Sequence, residues 1–171
     1  MRLWGAAAIL LLACTGCGYH TGGKASTLPT AVKTISIPAF VNGTQVYRVE
    51  QVLTRAVVRE FITRTHYKVL NERDPAADAV LTGAVLATNY SPLTYDTRSG
   101  HAATVLVQVA MKVSLTDRKG KVLFENPSYL FREQYQVSTV PASFFEEDSP
   151  ALQRLSRDFA HSLVSDILEA Y

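Results

Sequence analysis

Ala102-Ala103-Thr104-Val105-Leu106-Val107-Gln108-Val109-Ala110-Met111-Lys112-Val113-Ser114-Leu115-Thr116-Asp117 alternates with a period of two. Val105, Val107, Val109, Met111, Val113 and Leu115 fall on one face; Thr104, Gln108, Lys112, Ser114 and Thr116 fall on the other. Successive side chains of a strand point to opposite sides of a sheet, so this run predicts a long strand with one buried and one polar face. Asp117-Arg118-Lys119-Gly120 reads as a tight turn into a second strand, about 121–137, which Asn126-Pro127 should bulge or interrupt. Upstream, about 79–90 reads as a third strand, and the Tyr-, Thr- and Ser-rich stretch from Ser91 to Gly100 reads as a loop.

Further toward the N-terminus, Ile35, Ile37 and Ala39 alternate with Thr34, Ser36 and Pro38. A first strand is expected over about 33–40, ending at or edged by Pro38, whose nitrogen cannot donate to a ladder. Asn42-Gly43 marks a turn, Tyr67 to Leu70 a short extended piece, and Asp74-Pro75 another turn. Two segments carry helical spacing instead. Val49, Val52, Leu53, Ala56, Val57 and Phe61 form one stripe within about 46–65. Leu152, Leu155, Phe159, Leu163, Val164 and Ile167 form another within about 150–170, where Pro150 suits the first helical position and Asp148 or Ser149 the cap. The order is β-α-β-β-β-α. Two striped helices bury best on a common face of the sheet. The expected fold is therefore α+β: a two-layer sandwich of a four-stranded mixed sheet with two helices packed on one face.

The chain has 171 residues, 47% apolar and 19% charged, with a net charge of +2. That composition predicts one ordered domain and argues against a nucleic-acid footprint, which would need a concentrated basic face. The N-terminus differs from the rest. Arg2 precedes an apolar run from Leu3 to Ala13, whose eleven residues would rise only about 16 Å as a helix against a bilayer core of about 30 Å. A basic start, a short apolar run and small residues before cysteine make a secretory leader of the lipoprotein kind. Cys14 and Cys17 both qualify for acylation: Cys14 has leucine three residues upstream, and Cys17 has small neighbours. A Cys14–Cys17 disulfide is the alternative, but it would close a very small loop. The stretch from Gly18 to Pro29 is small and polar and reads as a linker.

No residue set announces catalysis. His20, His66, His101 and His161 lack metal-ligand spacing, and neither a nucleophile elbow nor a phosphate loop is present. No catalytic residue, metal site or cofactor is expected, and the chain does not read as an enzyme. Glu146-Glu147-Asp148 is explained by the positive end of the second helix. Arg48, Arg55, Arg59 and Arg64 fall largely off the first helix's apolar stripe, either as a solvated face or as a ligand surface.

Several stretches carry a family resemblance. Cys17-Gly18-Tyr19-His20 resembles the mature start of the LptE family, lipopolysaccharide-assembly lipoproteins of Gram-negative outer membranes. Ile35-Ser36-Ile37-Pro38-Ala39-Phe40-Val41-Asn42 resembles its first strand and turn, Leu53-Thr54-Arg55-Ala56 its first helix, and Ala77-Asp78-Ala79-Val80-Leu81-Thr82-Gly83 the entry to its second strand. Phe131-Arg132-Glu133-Gln134-Tyr135 and the C-terminal helix also sit where that family has them. The resemblance favours Cys17 as the acylated residue over Cys14. It implies a signal peptide over 1–16, a lipidated N-terminus and linker over 17–30, and a single domain over 31–171. It implies anchoring on the periplasmic side of the outer membrane by acyl chains such as palmitate. It also implies two partners, an LptD-type outer-membrane β-barrel that the protein plugs, and lipopolysaccharide. Other envelope lipoproteins share the strand ending in Ala-Phe-x-Asn, so an activator or assembly subunit of a cell-wall synthase or secretion channel is the alternative.

Lipopolysaccharide is phosphorylated, and its binder needs accessible cations. The densest short basic cluster is Arg118-Lys119-Gly120-Lys121, at the tip between the two longest strands, and Arg98 in the Tyr/Thr-rich loop is a second candidate. An ordinary solvated turn is the competing reading of the same residues.

Overall fold

The computed structural model describes residues 28–29, 31–98, 100–136 and 150–170. Cys14, Cys17, the leader and most of the expected linker lie outside them. So does the expected cap at Asp148 or Ser149.

The chain runs β1 (Thr34–Ser36), β2 (Val41–Asn42), α1 (Val49–Arg64), β3 (Lys68–Leu70), β4 (Ala79–Tyr95), β5 (Ala102–Asp117), β6 (Val122–Gln136) and α2 (Pro150–Glu169). The sheet order is β3-β1-β4-β5-β6, with β2 pairing β4 farther along. β1 is parallel to both β3 and β4, and β2 is parallel to β4. β4, β5 and β6 form an antiparallel meander. The α+β two-layer architecture is as expected, with both helices on one face of a mixed sheet.

The strand count is not four but six among the described residues. Two small changes account for it. The Tyr67–Leu70 piece joins the sheet as β3, beside β1. The first strand divides in two, with Pro38 in the gap. β1 is flanked on both sides, so a residue without an N–H cannot continue its ladder. The chain leaves the sheet there and rejoins β4 at Val41↔Ala84. The displaced backbone stays satisfied, because the Phe40 N–H donates to the Thr54 hydroxyl of α1 at 3.0 Å. The Phe40 ring lies on Gly83 of β4, where a Cβ would stand 2.9–3.1 Å from three ring atoms.

β4 is also longer than expected, running through Ser91-Pro92 to Tyr95. Past Val85 its far edge has no neighbour among the described residues, since β2 ends the parallel side there. Edge strands and irregular registers tolerate proline, and the β4–β5 register shifts between Pro92 and Thr94. The connection to β5 is correspondingly shorter than the expected loop from Ser91 to Gly100. β5 has the expected limits. The expected irregularity at Asn126-Pro127 is a register shift of β6 opposite Met111–Val113.

A single core lies between sheet and helices. From α1 it takes Val49, Leu53, Val57 and Phe61; from α2, Leu155, Phe159, Leu163, Val164 and Ile167. The sheet contributes Ile35, Leu81, Val85, Val107, Val109, Met111 and Leu115. Leu28, within the expected linker, is buried there too. Phe159 centres an aromatic group, edge-on to Phe131, Tyr129 and Phe40 at ring-centroid separations of 5.2, 6.0 and 6.4 Å. Tyr129 donates its hydroxyl to Asp166 Oδ2 at 2.6 Å, fastening β6 to α2. Burial, with the Asp166 carboxylate beside it, pushes this phenol far above the usual tyrosine range, so it remains the donor. Among the described residues no helix is long and apolar enough to cross a membrane.

Candidate functional site

The basic turn between β5 and β6 is shaped by Asp117. Its Oδ1 accepts the backbone N–H groups of Lys119 and Lys121, both at 2.8 Å. Gly120 closes the turn at φ 82°, a left-handed conformation that glycine adopts without penalty. Arg118 does not project outward with the lysines. Its Nε donates to the Ala77 carbonyl at 3.3 Å, and its Nη2 donates to the Ala76 carbonyl and to Asp78 Oδ1. Asp78 in turn accepts the N–H groups of Lys33 and Thr34 on Oδ2, both at 3.0 Å. Those two bonds hold its carboxyl below the usual carboxylate range, with the charges of Arg118 and Lys33 adding to them. Arg118 therefore clamps the hairpin tip to the entries of β1 and β4. Lys119 and Lys121 are exposed, with no side-chain ion pair among the described residues.

Arg98 belongs to the other end of the sheet. Its N–H donates to Asp96 Oδ1 at 3.0 Å in the connection between β4 and β5. The sixteen residues of β5 separate it from Arg118, a span of about 50 Å at the usual strand rise. The four candidate cations thus form no single site.

The structure does assemble another basic surface. On the outer side of the helix pair, Arg55 and Arg59 of α1 face Arg154 and Arg157 of α2 across a groove of about 750 Å³. Glu60, Asp158 and His161 complete its charged lining. Arg154 is held by Glu133 Oε1 at 2.5 Å and donates to the Gln134 carbonyl at 3.3 Å. Glu60 lies 3.3 Å from Arg64 Nη1 and 3.2 Å from His161 Nδ1. Arg64 also donates to Ser165 Oγ at 2.9 Å. On the opposite flank of α1 a second groove, about 500 Å³, is lined by Ala39, Val58, Ile62 and Asn71, and again by Arg55 and Arg59.

Sequence reading found the α1 half of this surface but not its partners. Arg154 and Arg157 lie about a hundred residues downstream, so no local spacing joins them to Arg55 and Arg59. The usable signal was indirect: both arginine pairs lie off the buried stripe of their own helix. No group of three or more His, Cys, Asp or Glu residues able to hold a metal ion occurs among the described residues.

Comparison with known proteins gives three findings. The family model described as "LptE: Lipopolysaccharide-assembly" matches residues 32–167, which spans all eight elements but for the last two residues of α2. No curated protein matches the chain. Among solved structures, uncharacterized lipoprotein B of Nitrosomonas europaea aligns with a TM-score of 0.54 at 14% identity, covering 88% of this chain and 90% of that one. The hypothetical protein CT253 of Chlamydia trachomatis aligns with a TM-score of 0.52 at 9% identity, covering 82% of this chain and 100% of that one. At these identities the two structures share the fold.

Proposed function

The chain belongs to the LptE family of lipopolysaccharide-assembly proteins, and on that premise we propose that it is a lipid-anchored lipoprotein that plugs an LptD-type β-barrel in the outer membrane. In that position it assists the passage of lipopolysaccharide to the outer leaflet. The family is one of assembly rather than catalysis, and the protein is not an enzyme.

The observation that carries this reading is the extent of the family match, which runs from two residues before β1 nearly to the end of α2. The fold supports it physically. Among the described residues one face of the sheet has no helix over it, and Thr82, Gln108, Lys112 and Ser114 lie on that face. A plug facing the water-filled lumen of a barrel needs a polar wall of this kind. Acylation of Cys17 supplies the anchor, with each buried CH₂ contributing about 0.8 kcal/mol. Lys119 and Lys121, at the exposed tip, are the cations of the sequence-derived cluster available to lipopolysaccharide phosphates.

The test is a pull-down from mildly solubilised outer membrane. A large β-barrel recovered with the wild-type protein is the expected result, and the Cys17→Ala variant, but not Cys14→Ala, should lose its own acyl mass and its retention in the membrane fraction. Recovery of a cell-wall synthase or a secretion ring in place of a barrel overturns the reading.

A further inference from the structure

The groove between α1 and α2 holds more positive charge than the fold uses. Arg154 is committed to Glu133, and Arg64 to Glu60 and Ser165. Among the described residues Arg55 donates only to the Gln51 carbonyl of its own helix, at 3.3 Å. Arg59 and Arg157 are exposed, and their guanidinium groups have no hydrogen-bond or ion-pair partner among the described residues. Against these three guanidiniums stands the carboxylate of Asp158, likewise without an ion pair. Like charges gathered on one surface repel, and fixing long side chains costs entropy, so such a set contributes nothing to folding.

The second feature is the adjoining apolar groove. Val58, Ala39 and Ile62 line it, and Ile62 is 59% exposed, although it belongs to the same helix that buries Phe61 completely. Arg55 and Arg59 line both grooves and so form the ridge between them. Both volumes are within or near the range of small-molecule sites, roughly 300–1,000 Å³. A ligand that matches this arrangement carries an oxyanion and an aliphatic chain on one molecule, a few ångströms apart. Guanidinium groups bind phosphate oxygens with paired donors, which favours a phosphate over a single carboxylate.

We propose that the α1 ridge is a binding site for an anionic amphiphile, with its phosphate in the arginine groove between the helices and its acyl chain along Val58 and Ile62. This inference rests on the two grooves and not on the plug assignment. Lipopolysaccharide and a membrane phospholipid share the required chemistry, and the experiment separates them.

The probe is dihexanoylphosphatidic acid below its micellar concentration, titrated by calorimetry into the purified protein. Dihexanoylphosphatidylcholine, inorganic phosphate and a poly-glutamate peptide are the comparators. Phosphatidic acid should bind more tightly than all three. Arg59→Gln with Arg157→Gln should weaken it by about tenfold or more, and Ile62→Ser by roughly threefold, with thermal unfolding unchanged because all three side chains are exposed. Unchanged affinity in the arginine double variant overturns the proposal, as does equal binding of the zwitterionic lipid. Tighter binding of poly-glutamate overturns it in favour of an acidic protein partner. Lipopolysaccharide capture is measured on the same samples. If the double variant loses phosphatidic acid and lipopolysaccharide together, the site takes both. If it loses phosphatidic acid alone, the site serves phospholipid. Both outcomes support the site. Wild type that binds phosphatidic acid but captures no lipopolysaccharide leaves this site standing and removes lipopolysaccharide binding from the proposed function.

Discussion

Replacing Phe159 with Ala removes the ring that joins both layers at their centre. Phe159 is completely buried, and the three rings around it come from β6 and from the segment between β1 and β2. Truncating a buried Phe to Ala costs about 3–5 kcal/mol in cavity and transfer terms. Each edge-on ring pair adds about 0.5–1.5 kcal/mol, but the pairs share one cavity and do not sum. The loss should therefore sit near the upper end, about 4–5 kcal/mol, a large part of the roughly 5–15 kcal/mol that holds a domain folded. With a urea dependence of about 2 kcal/mol per molar, the unfolding midpoint should fall by about 2 M. Phe159→Leu keeps most of the volume and loses the ring contacts, and should cost only about 1–2 kcal/mol. Equilibrium urea unfolding followed by far-UV circular dichroism measures both. An Ala variant with the wild-type midpoint, or a Leu variant as unstable as Ala, would refute the central role given to this ring.

Two further tests address the junction around Asp78. Its carboxyl is held below the usual range in the folded protein, so it stabilises the fold above its unfolded pKa of about 4, and that contribution is lost as the pH falls through the lower folded value. The melting temperature of the wild type should accordingly drop more steeply below about pH 4 than that of Asp78→Asn; parallel curves would rule the linkage out. At neutral pH, Arg118→Ser should lower the melting temperature while Lys119→Ser with Lys121→Ser leaves it unchanged. Equal effects would mean that Arg118 is as free as its neighbours.

Legibility in the sequence followed the physics of each element. β5 could be read to its end residues, because one face is buried from Val105 to Leu115 and the alternation there is unbroken. α2 was equally plain, since a stripe of six apolar side chains faces the sheet and the second face is polar. What escaped depended on distant neighbours. Pro92 looks like a strand end until β4 is seen to have, among the described residues, a free edge past Val85. Thr54 looks like a polar residue of a helix surface, yet it is buried because it receives the Phe40 N–H across a break that Pro38 causes. Arg118 looks like a solvated turn residue, and its partners lie about forty residues earlier. The groove arginines come from two helices at opposite ends of the chain. In each case the sequence holds the side chain but not the surface that meets it.

The divided first strand has a consequence for the chain before it is folded. β1 occupies an interior slot between β3 and β4, but its pairing residues Ala79 and Val80 are synthesised more than forty residues after it. Its other neighbour, β3, follows about thirty-four residues after it, and until then Ile35-Ser36-Ile37 has both edges open, the kind of segment that pairs with whatever other chain it meets. Three residues followed by a proline make a poor template for such a stranger, since the ladder stops before it gathers enough bonds to hold. The true partner suffers no such handicap, because it offers β2 a second point of attachment and Gly83 a seat for the Phe40 ring. The interruption that shortens the strand thus also tells it which neighbour to keep.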